Sequence, residues 1–403
     1  MKKPLVSPGV ISRRSFIKGL TYGAGAAIGT RLVGSGRGWE GEAKADNEKP
    51  ALFCVYLRGG YNALFSAPSG MKGSFGIDDG NIEAIANDLF IDAPTYGTLD
   101  PKVKTKLATI GVAHNLTDHD DSQMQKWWSS QSKSYVLQLA DALGGDAAIK
   151  AAVLGNDNVP GIKTPENGVT LQTIADMEAT IAALGAAQNS ERNPDRTITA
   201  AALERAALMS KGTLDANPSS LLALNQGYPT ASALLRKPTK PFSFAKLNQD
   251  YGLNDSTSVD DWKSRVAAAE LMITAGANVV IAIDDGWDSH GDTGGNEVRN
   301  KMNNDILPPL KKFFENMWAE ADRNVVVCVF GDFARSLPGS DHQPNCAVTV
   351  MGKYVKSGST GNVGKDVNMK DNTPDIPGMW AYLNEVLKSP TKPFGANPHA
   401  LVL

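Results

Sequence analysis

Three short segments of the sequence concentrate side chains that bind metals or exchange protons. They are "AHNLTDHDD", residues 113–121, "GWDSHGD", residues 286–292, and "GSDH", residues 339–342, and they hold four of the chain's five histidines. Imidazole and carboxylate ligands together suit zinc or manganese, whereas calcium prefers oxygen ligands alone. The segments therefore predict one shared site that holds a divalent metal or exchanges protons.

The spacing of these residues decides which of them can act together. Asp288 and His290 flank one residue, so in an extended turn their side chains point to the same side and can converge on one cation. Asp341 and His342 are adjacent, and a regular strand would send them to opposite faces. Both can contribute to one site only from a loop. His119 is a further candidate, as a ligand or a general acid.

The segment around His119 also permits a plain structural interpretation. Asp120 and Asp121 lie where a helix would begin, and aspartate is favoured at helix starts. Their carboxylates are therefore explained equally well as solvated helix caps. This explanation fits His119 less well.

The chemistry-bearing residues follow apolar runs that are typical of buried strands. These runs, rich in β-branched residues, cover residues 52–57, 108–112, 277–283 and 325–330. Helical patterns separate or follow them at 134–143, 171–184, 200–209, 260–275 and 303–321. The alternation predicts an α/β fold, with a mostly parallel central sheet and helices on both faces. In such sheets ligands bind at the carboxyl ends of the strands.

The turn after the first strand supplies one more candidate ligand. It reads "RGGYNAL", residues 58–64, in which two glycines allow the backbone to turn sharply and approach a ligand closely. Asn62 would present an amide oxygen at the strand end. A tight turn alone explains the same residues equally well.

One main domain, residues 46–403, accounts for the chain length. A helical insertion is predicted near residues 150–260, and the turn-rich segments 186–198 and 212–220 are predicted as loops within it.

The N-terminal 45 residues have the layout of a twin-arginine signal peptide. "SRRSFIK", residues 12–18, precedes a weakly apolar Gly/Ala segment, and "AKA", residues 43–45, is a small-residue cleavage site. The apolar segment is well short of the about 20 residues that a spanning helix requires, so no stable membrane span is predicted. We therefore expect the twin-arginine translocation machinery to be a partner and the mature protein to be periplasmic or secreted.

The mature chain is acidic. Residues 1–45 hold eight of the 40 Lys/Arg and two of the 43 Asp/Glu, which leaves 32 basic and 41 acidic residues, a net charge of −9. This balance argues against nucleic acid as a partner.

The three cysteines do not suggest a disulfide framework. Cys54 and Cys328 lie inside strand-like runs, and Cys346 follows a loop. Although an exported protein enters an oxidising compartment, three thiols cannot all pair. We expect Cys54 and Cys328 to be reduced core residues in neighbouring strands.

Taken together, these segments resemble the domain of unknown function 1501 family, exported bacterial proteins placed in the alkaline phosphatase-like superfamily. The resemblance is carried by "VYLRGGYNAL", "LDPKVKTKLATIGVAHN", "GWDSHGD", "GDFARSLPGSDH" and "PDIPGMWAYLNEVL". It implies an alkaline phosphatase-like sheet with metal ligands at strand ends and, in active members, hydrolysis or transfer of phosphate or sulfate esters. The Asp341–His342 pair looks like the superfamily's adjacent Asp-His ligands, and Asp288 with His290 resembles its other Asp/His set.

The sequence departs from the family pattern at positions that matter for catalysis. Asn62 stands where the family usually has aspartate, which removes one negative charge from the first ligand. Asp118 stands where the family has serine, so the expected hydroxyl nucleophile is absent there. Thr117 or Ser122 could supply a hydroxyl instead.

The family's Glu-Phe-Gly-Arg segment appears in this chain as residues 332–335, with Asp332 in place of glutamate and Ala334 in place of glycine. The resemblance implies that Arg335 stabilises the charge of an ester oxyanion beside bound cations. A structural ion pair explains the arginine equally well.

Two functions remain open at this stage. The first is a periplasmic, metal-dependent hydrolase of phosphate or sulfate esters, with zinc or manganese as its cofactor and an unidentified small-molecule or polymer ester as its substrate. The second is a degenerate, non-catalytic exported binding or assembly protein of the same fold, which the changes at Asn62 and Asp118 favour.

The export prediction can be tested by changing Arg13 and Arg14 to lysine. Because the twin-arginine pathway requires the arginine pair, the double variant should stay uncleaved in the cytoplasm. Fractionation followed by mass spectrometry of the N-terminus measures this, and equal periplasmic recovery of cleaved wild type and variant would reject export by this route.

Overall fold

The computed structural model describes residues 48–68, 78–86, 88–127, 133–145, 147–157, 159, 169–185, 196–216, 242–318, 320, 322–335, 337, 341–361 and 374–403. The predicted leader, residues 1–45, and most of the predicted loop at 186–198 lie outside these residues.

The described strands are short and mostly buried. In chain order they are β1 Lys49–Leu57, β2 Tyr61–Asn62, β3 Ile82–Ala86, β4 Leu89–Asp92, β5 Leu107–Ala113, β6 Ala151–Leu154, β7 Leu171–Ile174, β8 Val279–Asp284, β9 Arg323–Gly331, β10 Ala334–Arg335, β11 Asn345–Gly352 and β12 Gly358–Thr360. Eight of them form one sheet in the order β12-β5-β11-β9-β1-β8-β6-β7. β2 pairs with β10, and β3 pairs with β4.

The central sheet is mostly parallel. β9, β1, β8, β6 and β7 run parallel to one another, and β5 runs parallel to β12. β11, which lies between β5 and β9, is antiparallel to both. The four predicted strands are confirmed as β1, β5, β8 and β9, which are also neighbours or near neighbours in the sheet.

Helices connect and cover the strands. They are α1 Pro101–Lys104, α2 His119–Trp127, α3 Tyr135–Ala142, α4 Met177–Gly185, α5 Arg196–Ala216, α6 Phe244–Tyr251, α7 Trp262–Thr274, α8 Asn296–Lys301, α9 Leu307–Trp318 and α10 Ile376–Val386. Among the described helices, none combines the length and the apolar character needed to cross a membrane.

Both faces of the sheet are buried, which explains why its strands are nearly continuous apolar runs. In β1, Phe53 and Val55 pack on the face that α7 and α9 cover, and Leu52 and Cys54 pack on the face that α3 and α10 cover. A strand buried on both sides gains from apolar residues at every position. The predicted α/β class with helices on both faces is therefore confirmed.

Several predicted element boundaries are wrong. The helix predicted at 171–184 begins as strand β7, because Leu171–Ile174 pairs with β6, and becomes helical only from Met177. The loop predicted at 212–220 begins instead as the end of α5, which continues to Ala216. Strand β11 was not predicted, although its sequence "NCAVTVMG" is apolar. The stretch 150–260 contains two strands of the central sheet, β6 and β7, besides its helices.

The cysteines lie in the core as expected. Cys54 stands opposite Cys328 in the β1–β9 ladder, and Cys54, Cys328 and Cys346 are all buried and free. Burial raises the pKa of the Cys54 and Cys328 thiols, which keeps them protonated and unreactive.

His399 makes stability depend on pH. It is fully buried, its Nδ1 lies 2.8 Å from Thr360 Oγ1, and burial lowers its pKa to about 4. The unfolded imidazole binds a proton below its ordinary pKa of 6.5, whereas the folded one does not until about 4. The contribution of the neutral His399 ring to the free energy of unfolding is therefore complete above pH 6.5. It decreases as the pH falls from 6.5 towards 4.

When the pH is lowered from 7 to 4.5, the free energy of unfolding should fall by about 2 kcal/mol less in His399→Gln than in wild type. The reason is that glutamine does not titrate. Urea unfolding at both pH values measures this, and an identical loss in both proteins would contradict it. His114, whose pKa burial lowers to about 3, contributes with the same sign in both proteins.

Candidate metal centre at the carboxyl edge of the sheet

The candidate site lies at the edge where the parallel strands end. His119 opens α2 after β5, Asp288 and His290 follow β8, and Asp332 follows β9. His342 precedes β11, whose antiparallel direction puts its start at the same edge. The strand-end loops therefore meet as the sequence predicted.

Four predicted residues come close together there. His119 Nε2 lies 3.8 Å from Asp288 Oδ2, and His290 Nε2 lies 3.3 Å from Asp288 Oδ1. His290 Nε2 is 2.9 Å from His342 Nε2. One ligand atom each from His119, Asp288 and His342 lie within 4.8 Å of one another.

Hydrogen bonds on the far side of two rings decide which nitrogens are available as ligands. His119 Nδ1 lies 2.6 Å from the Asp332 carboxylate, and His342 Nδ1 lies 2.7 Å from the Thr117 backbone carbonyl. Both oxygens only accept, so each Nδ1 carries the hydrogen. In the neutral imidazoles the lone pair is then on Nε2, the atom that faces the cluster.

His290 completes the cluster from its exposed side. Because His342 Nε2 carries no hydrogen in this tautomer, the close contact of the two Nε2 atoms requires His290 to donate. Partial burial lowers the pKa of His342, and the positive charge of Arg335 acts in the same direction, which favours the neutral ring.

Asp332 holds His119 and was missed as a site residue by sequence reasoning. Its carboxylate is fully buried and accepts hydrogen bonds from the Tyr56 hydroxyl at 2.5 Å, the Gly59 N–H at 3.0 Å and His119. These three donors satisfy a polar group whose burial would otherwise cost free energy. Two signals could have found it, its position directly after a buried strand and its place at the family's glutamate.

Arg335 forms an ion pair with Asp288 from the protein interior. Its side chain is fully buried, with Nη2 2.5 Å from Asp288 Oδ1 and Nε donating to the Gly59 carbonyl at 2.6 Å. Burial lowers the pKa of Arg335, and the Asp288 charge opposes that shift. A Cβ at Gly60, whose φ is 127°, would lie 2.5 Å from Arg335 Nε, so this position needs glycine. The arginine predicted as an oxyanion clamp is thus bonded to a candidate ligand.

The remaining predicted residues have other contacts. Asn62 is buried, and its Oδ1 accepts from the Leu64 N–H at 3.0 Å, capping the short 3-10 turn Ala63–Phe65. Thr117 is exposed and contributes its backbone carbonyl to His342. Asp341 is exposed and approaches His290 Nδ1 at 3.7 Å.

Two buried cations accompany the two carboxylates of the site. Arg335 pairs with Asp288, and the Lys126 ammonium donates to the backbone carbonyl of Asp332 at 2.7 Å. Each of these basic side chains is fully buried. One basic group thus holds a carboxylate of the site, and the other holds a backbone carbonyl.

Residues 155–375 match the sequence profile of the family described as "Protein of unknown function (DUF1501)". The match covers more than half of the chain, and the protein therefore belongs to this family. Searches of the curated proteins and of the solved structures found no match.

The Arg335–Asp288 pair gives a stability prediction. Asp288→Ala leaves a buried guanidinium without its carboxylate and should lower the free energy of unfolding of metal-free protein by about 2 kcal/mol. The estimate is moderate because the Asp288 side chain is 52 % exposed. Asp341→Ala is the matched control and should change stability by less than about 0.5 kcal/mol, since this side chain is 76 % exposed. Urea denaturation measures both, and equal losses would contradict the pairing.

Proposed function

We propose that this protein is an exported, metal-dependent hydrolase of phosphate or sulfate esters, with an alkaline phosphatase-like arrangement of ligands at strand ends. The observation that carries the proposal is the pair of hydrogen bonds at Nδ1 of two histidines, from which their tautomers follow. His119 and His342 each use Nδ1 for a hydrogen bond to a fixed oxygen, so that two Nε2 lone pairs converge beside the Asp288 carboxylate. Histidine ligands of metals are held in this way.

The residues fit a divalent cation. Two imidazole nitrogens and one carboxylate oxygen suit zinc or manganese. Ligand atoms of tetrahedral zinc lie about 3.3 Å apart. Small rotations of the partly exposed side chains at this site would bring the group from 4.8 Å to that spacing.

The charges favour an anionic substrate. Arg335 already pairs with Asp288, and partial burial favours the neutral form of the His342 ring. A bound divalent cation would supply Lewis acidity and leave the centre positively charged, which offsets the charge of ester oxygens.

The chain's own residues then divide the work of positioning and proton transfer. Asp332 holds His119 by its Nδ1–H, and Arg335 holds Asp288. His290, the exposed imidazole, carries an N–H that donates to His342 in the absence of a metal. Once His342 Nε2 serves as a ligand, His290 would be free to act as a general acid in its doubly protonated form, giving one proton to a leaving oxygen and returning to the neutral ring.

Export by the twin-arginine pathway belongs to the same proposal. The leader motif at residues 12–18 supports it, and this pathway carries folded chains, so that a metal acquired in the cytoplasm could be retained.

A non-catalytic exported binding protein is the second candidate. The observation that favours it is the state of Asn62, whose amide oxygen caps a turn and whose Nδ2 is buried with no partner among the described residues. A second cation would lack the carboxylate that the family usually has there. Thr117, a candidate hydroxyl, faces solvent and meets the site through its backbone.

Metal content and esterase assays decide between these functions. We expect wild-type protein purified without added metal to contain about one zinc or manganese per chain, the number that one cluster of ligands can hold, and to hydrolyse aryl phosphates or sulfates. His342→Gln should lose both the metal and the activity, because it removes a ligand nitrogen. Elemental analysis and chromogenic esters provide the measurements.

His399→Gln is the control, since it makes the same substitution at a buried histidine away from the cluster and should retain both properties. Bound metal without hydrolysis of any ester would favour the second candidate. Wild-type protein that cannot be loaded with any divalent metal would overturn the metal site altogether.

A further inference from the structure

Helix α2 contacts Asp332 at two points. His119 Nδ1 lies 2.6 Å from the Asp332 carboxylate, and Lys126 Nζ donates to the Asp332 backbone carbonyl at 2.7 Å. The two helical residues are seven apart, which is two turns, so both lie on the same face of α2. One helix thus holds one residue by both its side chain and its backbone.

Burial of the Lys126 ammonium costs free energy of desolvation. Its side chain is fully buried, and it donates to the Asp332 carbonyl and, at 3.4 Å, to the Ser122 carbonyl. Burial lowers the pKa of Lys126, which reflects the desolvation of its charge. An apolar side chain of similar volume would avoid this desolvation, so packing alone does not explain a lysine.

The carbonyl that Lys126 holds is at the point where the chain leaves β9. Its other described neighbour is the Cys346 thiol, at the long distance of 3.7 Å and a weak donor. The ammonium is therefore the principal partner of this carbonyl, and it fixes the peptide that carries the Asp332 side chain.

We propose that Lys126 is a positioning residue of the candidate site, which fixes α2 against Asp332 so that His119 presents Nε2 to Asp288 and His342. Its consequence for metal binding rests on the proposed function. Its consequence for the His119–Asp332 hydrogen bond does not, and this bond can be observed in metal-free protein.

Lys126→Met tests the proposal, because methionine fills similar space without donating. The Trp380 indole still donates to the Lys126 backbone carbonyl, at 3.0 Å, and keeps the end of α2 docked. The Nδ1–H of His119 can be observed by NMR in metal-free protein with ¹⁵N-labelled histidine. We expect this hydrogen to exchange with solvent at least tenfold faster in the variant than in wild type. Zinc affinity, measured by competition with a chelating dye, should fall about 10–100-fold.

Lys104→Met is the matched control, since Lys104 also donates to a backbone carbonyl, that of Gly97 at 3.0 Å, but away from the site. It should change neither readout. In a His119→Gln background, Lys126→Met should cause no further loss of zinc affinity, because the lysine acts through His119.

An unchanged His119 signal in Lys126→Met, or an equal loss of zinc affinity in the His119→Gln background, would overturn the proposal. If Lys126→Met does not fold, Lys126→Gln gives the same two readouts with a second uncharged side chain. If wild type binds no divalent metal, the proposed function fails, while the exchange of the His119 signal still decides whether Lys126 positions this ring.

Discussion

The carboxylate of Asp332 is the group on which the site depends. It is fully buried, and a buried carboxylate without donors costs several kcal/mol or takes up a proton. Its donors come from three places, Tyr56 on β1, the Gly59 N–H in the turn after β1, and His119 on α2. Satisfying one side chain therefore requires the central strand, its turn and the helix after β5 to meet.

The same turn after β1 also places the second half of the site. Gly59 has a φ of 112°, and a Cβ there would lie 2.3 Å from the Asp288 backbone nitrogen, so the loop that carries Asp288 can come this close only to a glycine. The Gly59 carbonyl accepts from Arg335, which in turn holds the Asp288 carboxylate. The two glycines that the sequence offers as a tight turn thus bring the loops after β8 and β9 together.

The sequence was sufficient to predict the sheet class and the cluster of imidazoles, for two physical reasons. Strands buried on both faces are continuous apolar runs, and parallel strands end at one edge, so polar residues after β5, β8 and β9 were expected at that edge. The position of His342 was also predicted, although β11 was not. An antiparallel strand brings its first residues, rather than its last, to that edge.

Roles that depend on long-range hydrogen bonds could not be predicted. Asp332 and Lys126 acquire their roles only when α2 packs on the end of β9. The hydrogen bonds formed there join residues more than 200 positions apart in the sequence. Asn62 has a residue type that suits both a ligand and a cap, and its bond to the Leu64 N–H, which makes it the cap of a short turn, is a contact that the residue type alone does not reveal. Arg335 is equally ambiguous until its burial against Asp288 is known.

The most direct test of the central claim, that fixed imidazole tautomers create a cation site at this edge, is an anomalous difference map at the zinc absorption edge from crystals grown with one equivalent of zinc. The account predicts a peak in contact with His119 Nε2, His342 Nε2 and the Asp288 carboxylate, with Asp332 still bonded to His119 Nδ1. A map with no peak among these three residues, or with zinc bound only elsewhere on the surface, would contradict it.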